Sequence, residues 1–270
     1  WAIGTALWPT YQRKKISGDN MQRYFLTQPI EAQTGQTFEI SGDSVKHWVK
    51  VMRATPGDTA EFVTLEHQVV IAKLQATDGQ TATAEVTAVT TPQVELPLPV
   101  TIACGLSKGD KPEQIVQRGT ELGASAFVFF DSQWAVAKWA ASKRERKLAR
   151  LAKIAQGAAE QSHRTVVPTV SYQDNLTSLI QNVPFDTGVV AWEESAKQGE
   201  SSQLVQTLKQ MTPPERLLAI FGPEGGLTPT EVTTLATAGV TAVGLGPRIM
   251  RAETAPLYLL SSVSFWCELV

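Results

Sequence analysis

Two short segments near the C-terminal end of the chain collect the residue types that let a backbone come close to a ligand. The first reads Phe221-Gly222-Pro223-Glu224-Gly225-Gly226, and the second Leu245-Gly246-Pro247-Arg248-Ile249-Met250-Arg251-Ala252-Glu253-Thr254. Each follows a short apolar run, LLAIF at 217–221 and TAVGL at 241–245, of the kind that forms a buried strand. In open parallel sheets ligands bind outside the carboxyl ends of the strands, so these are the places to look for a site. Glycines there permit positive φ and leave room for backbone N–H and C=O groups to contact a bound molecule. Neither segment is a phosphate cradle: no lysine follows Gly226 as the P-loop requires, and after Gly244 and Gly246 the third glycine of the dinucleotide motif is replaced by Ile249. Kinase and dehydrogenase chemistry is therefore disfavoured. A structural turn explains the first loop alone about as well as a ligand does, but two such loops on successive strands favour the ligand.

The elements that must carry these loops are readable from pattern. From about 22 to 90, short β-type runs (FEI at 38–40, AEFVTL at 60–65, VVIAKL at 69–74, TAEVTAV at 83–89) alternate with Gly/Asp turns, which predicts a small all-β barrel. The stretch 90–99 holds three prolines and suits a linker. Beyond it, VTIAC at 100–104, AFVFF at 126–130, GVVAW at 188–192 and the two runs above alternate with helical patterns, the longest at 143–161. That alternation implies a parallel sheet covered by helices on both faces. Asp110 with Glu113, and Thr228 with Pro229 and Glu231, have the spacing of capping boxes, and Gly123 should stop the helix that begins near 111. The segment 255–269 is apolar nearly all round and is expected to be a buried helix.

Composition sets the remaining bounds. Hydrophobic residues make up 43% and charged residues 19%, which suits an ordinary folded protein. No apolar run approaches the roughly 18 residues of a membrane span, and at the start the apolar residues precede the basic ones, the reverse of secretory order. A soluble cytoplasmic protein is expected, with residues 1–20 an extension outside the native frame. Cys104 and Cys267 have no neighbouring ligand pattern and read as buried small hydrophobes, so neither a metal site nor a disulfide framework is indicated. The formal net charge is −2, where a dedicated RNA binder is usually basic, so any RNA contact must be local. The run Lys143, Arg144, Arg146, Lys147, Arg150, Lys153 is one place for it, with a solvated outer face as the competing reading.

FGPEGG, followed about twenty residues later by LGPRIMRAETA, resembles the signature of the ribosomal small-subunit methyltransferase E family, part of the SPOUT class of RNA methyltransferases. Supporting pieces are Arg23-Tyr24-Phe25, His47 with Val51-Met52-Arg53 and Gly57-Asp58, Lys108-Gly109-Asp110-Lys111, Thr120-Glu121-Leu122-Gly123, and Glu160-Gln161-Ser162 with Arg164. The likeness runs from 21 to 270, departing at Met250 and Ala252, where the family often has leucine and threonine. It implies an α/β fold: a PUA-like β-barrel at 21–92, then at 93–270 a SPOUT parallel sheet ending in a trefoil knot. General folding rules alone argue against a knot. It further implies a homodimer that uses S-adenosylmethionine, and no metal, to methylate N3 of a uridine in 16S RNA within the assembled small ribosomal subunit. The family pattern places Gly222, Pro223, Glu224, Gly225, Gly226, Leu245, Gly246, Ile249 and Met250 around the cofactor, and Arg251, Glu253 and Arg164 at the chemistry. It places Arg23, His47, Arg53, Lys108 and Lys111 on the RNA. Arg251 and Glu253 read equally well as a structural ion pair, and His47 as a satisfied barrel histidine. Rival activities are ribose 2′-O-methylation and a noncatalytic RNA-binding role in ribosome assembly.

Overall fold

The computed structural model describes residues 21–192 and 203–270, so the segment expected to be an extension, 1–20, lies outside the described residues. The chain forms two compact units. One contains 21–95 together with 159–166, and the other 96–158, 167–192 and 203–270.

The first unit is built on strands β1 (Arg23–Phe25), β2 (Thr37–Ser41), β3 (Thr59–Val63), β4 (Val69–Thr77) and β5 (Thr81–Thr90). They hydrogen-bond in the order β1-β3-β4-β5-β2, with β1 parallel to β3 and every other pair antiparallel. A short helix, α1 (Asp43–Val45), runs into a π-helical turn, Lys46–Val51, where strands alone were anticipated. The turn exists because Val45 and Trp48 point inward: the Trp48 ring meets Phe62 edge-on at 5.3 Å, and Phe62 stacks with Tyr24 at 5.6 Å. Along β4 the alternation Val70, Ala72, Leu74 is buried while Lys73 and Gln75 face out, the period-two pattern of a half-buried strand.

Residues 159–166 join this unit through ion pairs. Arg23 is buried, giving its Nε–H to Glu61 at 2.9 Å and an Nη1–H to the Arg164 carbonyl at 3.2 Å. The Arg164 guanidinium, also buried, is bound to Glu95, whose second oxygen accepts the N–H groups of Thr165 at 2.8 Å and Val166 at 3.1 Å.

The second unit is a six-stranded sheet, all parallel, of β6 (Val100–Gly105), β7 (Ala126–Phe130), β8 (Thr169–Gln173), β9 (Thr187–Ala191), β10 (Leu217–Phe221) and β11 (Val240–Val243). The order is β11-β9-β10-β6-β7-β8. Strands β7 and β10 are apolar at every position because both faces are covered. Ile102, Cys104, Phe127, Phe129, Leu217 and Phe221 face α2 (Lys111–Glu121), α3 (Ala141–Gln161), α5 (Gln203–Gln210) and α7 (Ala255–Ser264). Ala103, Val128, Phe130, Leu218 and Ile220 face α4 (Leu176–Asn182) and α6 (Pro229–Thr237). Although β11 is an edge strand beside β9, the chain then returns so that α7 packs on α2 and β10. Gly119 makes room for this, since a Cβ there would lie 2.7 Å from the Phe127 ring and 3.4 Å from Leu260.

The helix α7 continues as a π-helical turn, Phe265–Leu269, and it is not buried all round: Leu259, Leu260, Val263 and Cys267 are, whereas Tyr258, Phe265 and Leu269 are exposed. The two capping boxes part company. At α6, Thr228 and Glu231 exchange both bonds. At α2, Asp110 makes no capping bond and accepts from Gln114 instead, while Glu113 pairs with Arg150. Strand β8 and helix α4 were not anticipated. No described helix is long and apolar enough to cross a membrane.

Removing one member of a buried ion pair leaves the other charge uncompensated. Glu95→Ala should therefore lower the stability of the first unit by about 3 kcal/mol, read as a fall in the urea midpoint.

Candidate functional site

The two glycine loops leave the carboxyl ends of β10 and β11, with β9 between them in the sheet. The first is a tight turn closed by the Gly226 N–H on the Pro223 carbonyl at 2.8 Å, with Gly226 at φ 77°. It is packed so closely that side chains are excluded. A Cβ on Gly222 would lie 2.7 Å from the Gly226 carbonyl carbon, and one on Gly105, at the end of β6, would lie 2.5 Å from Pro223. Gly225 backs onto the Trp134 carbonyl, which a Cβ would approach to 3.0 Å. In the second loop Gly246 adopts φ 88° beside the Tyr258 hydroxyl.

Lys111, the first residue of α2, holds the loops to one another. Its Nζ is 2.7 Å from Glu224 Oε1 and 3.5 Å from Glu253 Oε2, and the Lys108 N–H adds a bond to Glu224 at 3.2 Å. Partial burial pushes the Glu224 carboxyl up, but the hydrogen bonds from Lys111 and from backbone N–H groups outweigh it and hold it below its usual range. The hydrogen bond to Glu224 raises the Lys111 ammonium against desolvation. Both groups are thus charged at neutral pH.

The structure brings together Gly222, Pro223, Glu224, Gly225, Gly226, Leu245, Gly246, Ile249, Met250, Arg251 and Glu253 with Lys108 and Lys111, all at one end of one sheet. Glu253 takes Lys111 as its partner rather than Arg251, and its Oε2 is inaccessible to solvent and accepts no hydrogen bond from a described residue. Arg251 is exposed. Lys111, expected on RNA, is instead engaged by two carboxylates.

The remaining candidates lie in the first unit. Arg23 and Arg164 do not face outward as RNA contact or catalysis would require; they are 7% and 3% exposed and committed to Glu61 and Glu95. His47 and Arg53 are exposed. His47 Nδ1 pairs with the Tyr24 hydroxyl at 2.9 Å, and Arg53 ends the helical turn at φ 59°, a conformation more usual for glycine. Sequence reasoning missed Gly105, which is legible as a glycine ending a strand, and Trp134, which carries no sequence signal.

A match to the RNA methyltransferase domain family spans residues 94–264. The ribosomal RNA small subunit methyltransferase E of Bacillus subtilis is 44% identical over 254 residues, covering 93% of this chain and 98% of that protein. The Synechocystis protein of the same name is 30% identical, with coverage of 95% and 82%. The crystal structure of the Neisseria gonorrhoeae small subunit methyltransferase E bound to S-adenosyl methionine superposes with a TM-score of 0.79 at 27% identity, covering 92% of this chain and 98% of that one. Likeness of this extent over nearly the whole length of the relatives means that the chain belongs to the ribosomal RNA small subunit methyltransferase E family.

Proposed function

We propose that the protein transfers a methyl group from S-adenosylmethionine to N3 of a uridine in the RNA of the small ribosomal subunit. The observation that carries this reading is the pair of glycine loops at one end of the sheet, with Gly226 and Gly246 at positive φ, tied by Lys111 to one helix end. Loops of this kind suit a ligand read by backbone N–H and C=O groups, which is how an adenine can be held without a phosphate motif. When bound, the cofactor supplies an electrophilic methyl on a sulfonium.

The protein's own residues do the rest. Pro223, Gly225, Gly226, Leu245, Ile249 and Met250 wall the cradle. Uridine N3–H is weakly acidic, so the base must be unstacked, aligned and stabilised as its charge develops. Arg248 and Arg251 are both exposed in the second loop, and we assign Arg251 to the developing uracil anion. Glu253 Oε2 is inaccessible and faces the Lys111 ammonium at 3.5 Å, so these two act as positioning residues for the Arg251 segment. Arg164, tied up by Glu95, is left out of the chemistry.

The domain reading that goes with this function is a PUA-like barrel at 21–92, its exposed His47 and Arg53 gripping RNA, followed by a SPOUT domain at 93–270. The return of the chain from edge strand β11 to α7 on β10 favours a trefoil knot there. Exposed Tyr258, Phe265 and Leu269 on the last helical segment favour an isologous homodimer.

Three outcomes are expected. Gly222→Ala should leave a folded protein that no longer gives a calorimetric signal with S-adenosylmethionine, because its Cβ collides with backbone; normal affinity would remove this loop from the cofactor. Light scattering should give a dimer at micromolar concentration and a monomer for Phe265→Asp. On unmethylated small subunits the protein should create one reverse-transcriptase stop, since an N3 methyl blocks base pairing, and Arg251→Ala should lose it by at least a hundredfold in rate while keeping cofactor affinity. Methyl incorporation without a stop would indicate the ribose reaction, and no incorporation the assembly-factor role.

A further inference from the structure

Helix α3 carries six Lys and Arg against two Glu, in a chain whose net charge is −2. At 3.6 residues per turn, Lys143, Arg146, Lys147, Arg150 and Lys153 fall within an arc of about 120°. All five are exposed, on the side away from Leu151 and Ala155, which are buried in the core. Arg150 is engaged with Glu113 at 2.9 Å, while Lys143, Arg146 and Lys153 have no ion pair among the described residues. Like charges spaced at i, i+3 and i+4 repel one another, so the helix carries this stripe at a small cost to its own stability.

The start of the helix is held rigidly. Arg144 lies over the Tyr172 ring at 3.8 Å, Tyr172 stacks with Trp139 at 6.1 Å, and Trp139 packs on Phe129 of β7 at 5.3 Å. Lys147 reaches over the other part of this stack, 5.4 Å from the Trp139 ring.

The loop that leads into α3 touches the cofactor loop. The Gln133 N–H donates to Glu231 Oε1 at 2.9 Å, the same carboxylate that caps α6, and the Trp134 backbone lies against Gly225. Pinned by its backbone, Trp134 nevertheless leaves its side chain in solvent, with the residue 51% exposed. A large exposed indole fixed beside a ligand loop has the form of a base-stacking platform.

We propose that the outer face of α3 and the Trp134 indole form a docking track for a single RNA strand, phosphates on Lys143, Arg146, Lys147 and Lys153, and a base on Trp134 next to the methyl-transfer loops. This rests on the reading of the protein as an RNA methyltransferase, and it adds to the methyltransferase unit a grip on RNA of its own. Single-stranded RNA is held in this way elsewhere, by a cationic groove along the backbone and aromatic faces for the bases.

The test uses the full chain, a protein-free small-subunit RNA transcript for binding, and unmethylated small subunits for turnover. The combined variant Lys143→Gln, Arg146→Gln, Lys147→Gln, Lys153→Gln should bind the transcript at least tenfold more weakly. Four lost phosphate contacts should also make the dependence of log affinity on log salt shallower by about 3. Trp134→Ala should weaken binding by roughly 5- to 100-fold, with KM on small subunits rising more than kcat falls. In the four-site variant S-adenosylmethionine affinity should be unchanged, since those side chains are exposed and outside the loops, and the melting temperature should not fall, since removing like charges relieves their repulsion. Transcript affinity and salt slope within twofold of the unaltered protein would overturn the track, and normal binding by Trp134→Ala alone would overturn the stacking platform. Methyl transfer by the unaltered protein is scored separately: a failed track with intact transfer leaves the enzyme standing, and absent transfer removes the function itself.

Discussion

Lys111 occupies the position on which the site's geometry turns. The loops after β10 and β11 come from strands that are not neighbours, so no backbone ladder sets their separation. A single ammonium at the first turn of α2 reaches a carboxylate on each. Its side chain is 22% exposed and Glu224's is 33%, so solvent screens the pair and its contribution to global stability is small, about 1 kcal/mol or less. Its importance is geometric. The glycine contacts set how near the first loop lies to β6, through Gly105 against Pro223, and Lys111 sets how the second loop faces the first. Two steric constraints and one charge thus define a cradle that no secondary-structure element could define alone.

Much of this was legible in the sequence because it depends on residue type at a fixed place. Strands of continuous apolar residues mark a sheet covered on both faces, and five of the six parallel strands are plain for that reason. The sixth, β8, reads TVSYQ: no position along it is fully buried, and so it has no need of an apolar run. The glycines of both loops were visible as glycines, and their positive φ or missing Cβ space follows from that. What the sequence did not display is which charges are buried. Arg23, Arg164 and Lys111 look alike as cations available to RNA, and only the fold shows the first two enclosed with Glu61 and Glu95 and the third claimed by Glu224 and Glu253. A capping-box spacing is equally ambiguous: Thr228 and Glu231 realise it, while Asp110 and Glu113 are drawn off by Gln114 and Arg150. Local propensity is decided by what the tertiary structure offers each side chain.

The last helical segment shows the same limit from the apolar side. Its sequence is hydrophobic nearly all round, which for a single chain means burial. In the structure Pro256, Leu259, Leu260, Val263 and Cys267 are buried, while Tyr258, Phe265 and Leu269 stay in solvent. Scattered exposed apolar residues are normal, but these recur at helical spacing on one face, next to Gly246 of the second loop. These residues are therefore continuous with the second loop, and in the homodimer proposed above a second subunit completes a wall of the site rather than merely stabilising the chain.

A protein of slightly negative net charge can still hold a polyanion if its cations are sorted. At physiological ionic strength charges separated by more than about 8 Å scarcely interact, so the overall charge has little authority over a strand lying within contact distance of α3. What matters is that several carboxylates near the loops already have protein partners: Glu224 and Glu253 share Lys111, Glu113 pairs with Arg150, and Glu231 accepts backbone N–H groups. Glu224, Glu253 and Lys111 still sum to one negative charge, so this pairing lessens the repulsion of a phosphate without abolishing it. Arg248 and Arg251 at the loops and the outward face of α3 remain exposed, so in the reading proposed above the fold sets out its cations locally and partners the nearby acids instead of raising its overall charge.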